Sequence, residues 1–445
     1  FGVVVGWWNW LKRLQVFTAW TDSAIVYTRK GMQAGYVLPT SLIVKVIPQF
    51  KDMVVKDPTK SLYYGPIQLM PADFPAAEKT RLTEAYTKMI SEKLVPAFQK
   101  LADFYEKEYL PKGRTTSGIS DVPGGRERYN HLIKYWTTTE MTADEIFDLG
   151  QREVARIRSE MEKVKAQVGF KGDLKAFFDF VRTDKKFTPF QKPEEVTAWY
   201  ASLETVMKPQ LNKMFDLTPK SKFEVRRTEA FREASASAEY SQGTPDGSRP
   251  GIFYVPVPDA AKHNVVGGES LFLHEAIPGH HYQISLQQED TTLPAFRRFL
   301  WYGAYGEGWA LYTESLGKEL GLYTDPYQYF GMLSSEMHRA IRLVVDVGLH
   351  TKGWTREQAI QFSKDNEAEP EESIIAEIER YMAIPGQALS YKIGQLKILE
   401  LRSKAEKTLG DKFDIKEFHN EVLDAGCLPL KVLEAKIDRW IAGKK

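Results

Sequence analysis

The feature that most constrains this chain is a cluster of metal-ligating side chains in residues 271–288, LFLHEAIPGHHYQISLQQ. Three of the eight histidines of the chain, His274, His280 and His281, lie here within eight residues, together with Glu275. An apolar run leads directly into the His-Glu pair. In metallopeptidases such a pair on a buried helix supplies one zinc ligand and the general base. We therefore interpret this stretch as the helix of a metal site.

The spacing of these histidines departs from the H-E-x-x-H motif, whose two histidines lie about one helical turn apart. The position of the second histidine is occupied by Pro278. On an uninterrupted helix His280 would face another direction, and His281 would lie about 10 Å further along the axis than His274. A regular helix therefore cannot place two of these imidazoles on one ion.

The dipeptide Pro278-Gly279 offers a solution. Proline has no N–H for the helical hydrogen bond and crowds the preceding turn. The residue before it is biased away from helical geometry, and glycine accepts almost any conformation. We predict a kink or bulge that returns His280, or alternatively His281, to the side of His274. The competing interpretation is a helix that stops at the proline, with surface histidines after it.

A zincin-type site needs a third protein ligand and an open fourth position, and the candidate ligand is Glu307. It lies between Gly306 and Gly308, at the start of a mostly apolar helical pattern about thirty residues after His274. The small neighbours would let another backbone approach closely. Glu314 follows two turns later on the same face and is a candidate to orient a ligand. Alternatively, Glu307 only stabilises the helix N-terminus.

Three stretches resemble a bacterial family long catalogued as a domain of unknown function: HEAIPGHHYQ, GEGWALYTE and IPGQALSYKIGQLKI. Residues 35–39, 142–157 and 249–259 are also similar, so the resemblance runs through most of the chain. The family, with its HExxPGHH motif, is grouped with the gluzincin-like zincin metallopeptidases, the broad relatives of thermolysin, thimet oligopeptidase and carboxypeptidase Taq. The resemblance implies a zincin-like fold, bound Zn²⁺, an upstream segment, and an exported, periplasmic or lipid-anchored protein.

Two tyrosines flank a predicted break near Pro385 and Gly386. A phenol that reaches the metal site could donate a hydrogen bond to the oxyanion formed during hydrolysis. Tyr391 is favoured by its place in the last resembling motif, and Tyr381 is the alternative. The competing interpretation is that both tyrosines are packing residues.

Residues 334–350 form an amphipathic helical pattern, and its polar side chains share much of one face. We expect this face to line a cleft in which Arg339 or Arg342 holds a substrate carboxylate. His350 is a further substrate-binding candidate, and Asp346 is a candidate to support the metal ligands. An exposed helix with many ion pairs is the alternative.

The clearest strand candidates are residues 223–226 and 252–257. The second lies between Pro250 and Pro256 and is predicted as an edge strand. In zincins an edge strand beside the metal helix holds an extended peptide by backbone pairing. We therefore expect Ile252 and Tyr254 to contact substrate, with a structural hairpin as the alternative.

Composition limits the classes of partner. The net charge of +1 gives no electrostatic case for nucleic acid or an anionic membrane. Cys427 is the single cysteine, so no intrachain disulfide can form. The apolar start FGVVVGWWNWL is too short to span a bilayer and lacks a basic leader, so we expect the native N-terminus to lie upstream. Nothing in the sequence indicates an oligomeric state.

Together these features predict a mainly α, two-lobed, zincin-like catalytic unit over residues 1–445, with a small β-sheet beside the metal helix. The expected lobes are residues 1–220 and 221–445. The predicted function is that of a zinc-dependent peptidase that hydrolyses short peptides through a metal-activated water, with Glu275 as the base. The alternatives are a metal-dependent amide or ester hydrolase on non-peptide substrates and an inactive zincin-fold binding protein.

Overall fold

The computed structural model describes residues 2–230, 232–233 and 236–444. This part of the chain is predominantly helical and contains one three-stranded sheet, so the prediction of a mainly α protein with a small sheet is confirmed. The chain forms two compact units, Phe1–Gly125 and Arg126–Lys445, whereas the sequence places a lobe boundary at residue 220. None of the described helices combines the length and apolar character needed to cross a membrane.

The first unit is built from helices around an apolar core. Its helices are α1 (Gly2–Gln33), α2 (Thr40–Asp52), α3 (Gly65–Gln68), α4 (Ala76–Met89) and α5 (Val95–Phe104). A π-helical turn, Ile90–Leu94, joins α4 to α5. The apolar side chains of this region recur at helical spacing and are buried in two clusters, of which one contains Leu82 and Tyr86 and the other contains Phe98.

The second unit contains the remaining helices and the sheet. Its helices are α6 (Gly125–Thr137), α7 (Ala143–Gln167), α8 (Leu174–Thr183), α9 (Pro193–Met214), α10 (Gly268–Glu275), α11 (His280–Glu289), α12 (Ala295–Arg298), α13 (Gly303–Ser315), α14 (Pro326–Thr351), α15 (Arg356–Asn366), α16 (Glu371–Ala383), α17 (Ser390–Leu409), α18 (Ile415–Leu423) and α19 (Leu430–Lys444). Helix α7 starts at a capping box, in which Thr142 and Glu145 each accept a hydrogen bond from the other's backbone N–H.

Helix α14 is an interior helix of this unit. Its apolar side chains are buried, and so are the polar side chains Arg342, Asp346 and His350. It packs against α7, α10 and α16. The alternative of an exposed, ion-paired surface helix is therefore wrong, because this helix is enclosed by its neighbours.

The sheet has the order β1-β3-β2, with β1 (Phe223–Arg227), β2 (Glu239–Ser241) and β3 (Gly251–Val255). Strand β3 pairs with β1 in parallel and with β2 antiparallel. The prediction that β3 is an edge strand is therefore wrong. Its prolines lie outside the paired residues, and its nearly continuous apolar run is typical of a central strand. In the described part of the chain, β2 has no strand neighbour on its other side.

Candidate metal centre and its cavity

The helix of the His-Glu pair is interrupted where the sequence predicts a break. Helix α10 ends at Glu275 and α11 begins at His280, with a cis Ile277–Pro278 peptide between them. Gly279 passes so close to the preceding turn that a Cβ there would lie 1.9 Å from the carbonyl oxygen of His274. Trp309 of α13 holds the connection by donating from Nε1 to the carbonyl of Pro278 at 2.8 Å.

This connection brings His280 beside His274, with 4.8 Å between their ring centroids. The carboxylate of Glu307, on α13, approaches both rings: its Oε2 lies 3.6 Å from His274 Nε2 and 3.4 Å from His280 Nε2. One ligand atom from each of the three residues lies within 4.8 Å of the other two. The three side chains therefore form a cluster that could hold a metal ion.

Glu314 orients the first histidine of this cluster. Its Oε1 lies 2.7 Å from His274 Nδ1, and its Oε2 accepts a hydrogen bond from Ser270 Oγ at 2.6 Å. Burial lowers the pKa of His274, but hydrogen bonds with Glu307 and Glu314 outweigh it and raise this pKa to about 9. The Nε2 atom of His274 is thereby directed towards Glu307, as in metal sites where a carboxylate fixes the ring of a ligand.

Burial and the two histidines act in opposite directions on Glu307. Burial raises its pKa, but the charge of His280 and the hydrogen bonds with His274 and His280 lower it below the ordinary value. The carboxylate is therefore ionised, which is the form that binds a metal. By contrast, His280 Nδ1 is buried and finds no hydrogen-bond partner among the described residues.

Neither of the two glycines beside Glu307 has room for a side chain. A Cβ on Gly306 would enter the ring of Trp301, and a Cβ on Gly308 would lie 2.5 Å from the Cα of Gly394 in α17. Helices α13 and α17 therefore cross backbone to backbone at Gly308 and Gly394. This contact fixes the turn of α13 from which Glu307 projects.

His281, the alternative ligand, is engaged elsewhere. Its Nδ1 lies 3.0 Å from the hydroxyl of Tyr240 in β2, and its ring packs against Phe223 of β1. Burial lowers its pKa to about 4, so this histidine is neutral at physiological pH. Since it holds α11 against the sheet, the structure does not place it in the cluster with His274.

Glu275 lies next to the cluster and has the surroundings of a general base. It is 8% exposed and lines a cavity of about 830 Å³ that also reaches His274, His280 and Glu307. Burial raises the pKa of Glu275, against the opposing influence of His274 and His280. A carboxylate with a raised pKa beside an open cavity suits proton transfer.

The predicted tyrosines occupy different positions. Tyr391 lines the cavity, and its ring lies 4.6 Å from the Cζ of Arg342. Tyr381 is buried behind this wall, where its hydroxyl donates to Glu377 at 2.6 Å and accepts from Arg342 Nε at 3.0 Å. The structure therefore brings Tyr391, but not Tyr381, into contact with the cavity.

The predicted substrate-binding residues divide in the same way. Arg339 and Arg342 line the cavity. His350 is fully buried, with its Nε2 3.0 Å from the carbonyl oxygen of Tyr381. Ile252 and Tyr254 lie in the central strand β3 and are absent from the cavity lining. The prediction that a strand borders the cavity applies instead to β2 and the residues before it.

Asp346 supports another part of the fold. It is fully buried and accepts hydrogen bonds from the Tyr129 hydroxyl at 2.5 Å and from the backbone N–H of Gly386 at 3.0 Å. It therefore anchors the break before α17 and does not contact the metal cluster. Burial raises its pKa from 3.8 to about 7, against the lowering effect of these two hydrogen bonds and of Arg380.

We expect Asp346 to make stability depend on pH. Its folded-state pKa lies above that of the unfolded chain, so its contribution is fully present below about pH 4 and is lost as pH rises through about 7. The loss should amount to a few kcal/mol, because each pKa unit is worth about 1.4 kcal/mol. Urea denaturation between pH 4 and 8 measures this loss in the free energy of unfolding.

The Asp346→Asn variant should show a smaller decline in the free energy of unfolding over this pH range, whereas the exposed control Asp411→Asn should keep the parental slope. An equal slope in both variants would contradict this assignment.

Several cavity residues were not found from the sequence. They are Ser237, Ala238, Glu239, Tyr240, Ile284, Trp301, His338, Glu369, Ser373, Glu377 and Arg380. His338 shares a helix face with Arg342, four residues on, and this spacing could have indicated it. Strand β2 has only three residues, which is too short to show a recognisable strand pattern in the sequence.

The fold and geometry thus define a helical protein with a largely buried His-His-Glu cluster in the lining of a cavity. The chain matches the family described as bacterial protein of unknown function (DUF885) over residues 4–437, and it belongs to this family. The predicted family resemblance is confirmed to this extent. No curated protein matches the sequence.

The solved structures that are similar to this chain include two bacterial proteins. A candidate lipoprotein from Colwellia psychrerythraea aligns with a TM-score of 0.93 and 33% identity, over 98% of this chain and 76% of that one. A candidate lipoprotein of unknown function from Shewanella oneidensis aligns with a TM-score of 0.68 and 21% identity, over 89% of this chain and 73% of that one. The second similarity supports the fold alone.

Proposed function

We propose that this protein is a zinc-dependent peptidase of the zincin type that hydrolyses short peptides. The observation that carries the proposal is the convergence of His274, His280 and Glu307 beside Glu275 in the lining of one cavity. Two imidazoles and one carboxylate are the ligand set of many catalytic zinc sites, which leave a further position open.

Two of the three separations between the candidate ligand atoms suit a zinc ion. Ligand atoms about 2.0–2.1 Å from a tetrahedral ion lie roughly 3.4 Å apart, and Glu307 Oε2 lies 3.6 and 3.4 Å from the two imidazole nitrogens. Histidines that bind a metal through one ring nitrogen usually hydrogen-bond a carboxylate through the other, and Glu314 has this position at Nδ1 of His274. A bound zinc ion would polarise the scissile carbonyl and make water a stronger nucleophile.

Glu275 carries out the proton transfers. It accepts a proton from the attacking water while the oxygen of this water bonds to the carbonyl carbon. The same carboxyl returns the proton to the leaving nitrogen as the C–N bond breaks, so that one carboxylic acid and one amine are released. Tyr391 lines the same cavity, which supports it as the donor of a hydrogen bond to the oxyanion.

The edge strand β2 supports a peptide over a small amide or ester as the substrate. Residues 237–240 line the cavity, and β2 offers backbone groups to an extended chain on its unpaired side, within the part of the chain that the structure describes.

Metal analysis and a substrate panel test the proposal. Protein dialysed against zinc should retain about one equivalent of Zn²⁺ by plasma emission, and should hydrolyse short peptides faster than small amides or esters. If no zinc is retained, the proposal is wrong. Zinc with turnover of only the small compounds indicates the non-peptide hydrolase, and zinc without any turnover indicates the binding protein.

The Glu314→Gln variant should bind zinc about 10–100-fold more weakly, because an amide does not support the imidazole as a carboxylate does. A competition titration against a chromophoric chelator measures this affinity. The exposed Glu319→Gln variant removes the same charge and should bind zinc like the parent. Equal affinity in the Glu314 variant would show that His274 needs no orienting carboxylate.

We also propose that the protein is exported as a lipoprotein, since its relative from Colwellia psychrerythraea is described as a candidate lipoprotein. Fractionation of cells that express the native gene, grown with and without globomycin, tests this location. Protein found in the cytoplasm and unaffected by globomycin would overturn it.

A further inference from the structure

Helices α14 and α16 supply three arginines to the cavity lining: Arg339, Arg342 and Arg380. Arg342 is only 7% exposed, and most of its donors are used. Its Nε donates to Tyr381, and its Nη2 lies 2.9 Å from Glu377 and 3.1 Å from His338 Nε2. Its Nη1 is buried and has no acceptor in the described residues.

The side of the cavity formed by α14 and α16 carries more arginines than carboxylates. Glu377 receives hydrogen bonds from both Arg342 and Arg380, so two guanidinium groups share one carboxylate. Arg339 donates to the hydroxyl of Ser335 at 2.7 Å, and its Nε also lacks an acceptor among the described residues. Glu369 lines the same cavity, but it forms no ion pair with these arginines in the described part of the chain.

These arginines line the same cavity as the metal cluster. Arg342 lies against the ring of Tyr391, which lines this cavity too. Guanidinium groups with free N–H donors in a largely buried wall bind a planar carboxylate well. A cavity of about 830 Å³ holds a ligand of short-peptide size. Every unmodified peptide carries one such carboxylate at its C-terminus.

We infer that Arg339 and Arg342 bind the free C-terminal carboxylate of the substrate, so that this protein removes residues from the C-termini of short peptides. This inference rests on the proposed peptidase function. The C-terminal fragment keeps the carboxylate held by the arginines, and hydrolysis gives it a new amino group. The other product gains a new carboxylic acid.

Matched peptides test the inference. N-acetylated tetrapeptides with a free C-terminal acid should be cleaved with a kcat/KM about 10–100-fold above that of their C-terminal amides. An amidated peptide with glutamate as its last residue offers a carboxylate on a side chain instead, and it should be cleaved as slowly as the other amides. Equal cleavage of acid and amide overturns the inference, as does fast cleavage of the glutamate amide.

The Arg339→Gln variant should lower kcat/KM about 10–100-fold for the acid and less than about threefold for the amide. Arg339 is chosen because Arg342 also holds Tyr381 and Glu377. Lys352→Gln removes one positive charge at an exposed site directly after the same helix and outside the cavity lining, and it should not change the kcat/KM of either substrate. Equal losses on acid and amide in Arg339→Gln would contradict the inference.

Binding separates this inference from the peptidase proposal. Calorimetry with the Glu275→Gln protein should show the acid binding more tightly than the amide, and the Arg339→Gln substitution should remove this difference. If this pattern holds without any hydrolysis by the parent protein, the carboxylate site stands and the peptidase proposal fails. If hydrolysis occurs and no difference in binding is found, the peptidase proposal stands and the carboxylate site fails.

Discussion

Replacement of Glu275 by glutamine should lower kcat by about 10²–10⁴-fold, which is the usual contribution of a general acid–base. Glutamine keeps the shape of the side chain but cannot accept the proton of the attacking water. Glu275 does not belong to the His274, His280 and Glu307 cluster, so zinc content should be unchanged. Steady-state hydrolysis of a short peptide, with zinc measured on the same sample, provides the test.

The control for this variant is Glu400→Gln, an exposed carboxylate on α17 that pairs with Lys397. It should retain parental kcat and zinc content. If the Glu275 variant hydrolyses peptides as fast as this control, the assignment of the base is wrong. If it also loses zinc, the loss of activity says nothing specific about proton transfer, and the Glu275→Asp variant then separates the two roles by restoring zinc without full turnover.

Replacement of Gly279 by alanine should disrupt the site more severely than loss of a single ligand. The new Cβ would lie 1.9 Å from the His274 carbonyl and 2.2 Å from that of Leu273, so the connection between α10 and α11 must move. We expect a loss of more than about 3 kcal/mol in the free energy of unfolding, above the usual cost of overpacking. Zinc binding should fall with it, since His280 follows this glycine directly. Chemical denaturation and metal analysis measure the two effects.

Gly443→Ala is the matched control. This glycine lies in α19, and a Cβ there meets nothing within 4 Å. Its effect on the free energy of unfolding should stay within about 0.5 kcal/mol, as for other exposed substitutions. If the alanine at position 279 were tolerated as well as this one, the close approach of the connection to the preceding turn would not exist in solution.

The sequence predicts the break at Pro278-Gly279 but cannot choose between the histidines that follow it. The direction of a short non-helical connection depends on contacts made by residues far along the chain. Here Trp309 binds the Pro278 carbonyl, and Tyr240 engages His281. Only folded neighbours of this kind place His280 beside His274.

Contacts with distant parts of the chain also explain why the predictions for α14 and β3 differ from the structure. Helical spacing places Arg339, Asp346 and His350 near one face, but α14 has 26 residues and is about 39 Å long. One face of such a helix meets several environments, so the arginines reach the cavity while Asp346 binds Gly386. Strand β3 has the expected residues, but its partners β1 and β2 are chosen by tertiary pairing.

The crossing of α13 and α17 at Gly308 and Gly394 bears on how this protein can be engineered. Glu307 and Tyr391 project from two helices whose main chains touch, so their separation is independent of any side chain packed between them. The arginines of the cavity come from other helices, α14 and α16. Libraries randomised at Arg339, which does not pack on Tyr391, should therefore change what the cavity binds while the main chains that carry Glu307 and Tyr391 keep their mutual placement.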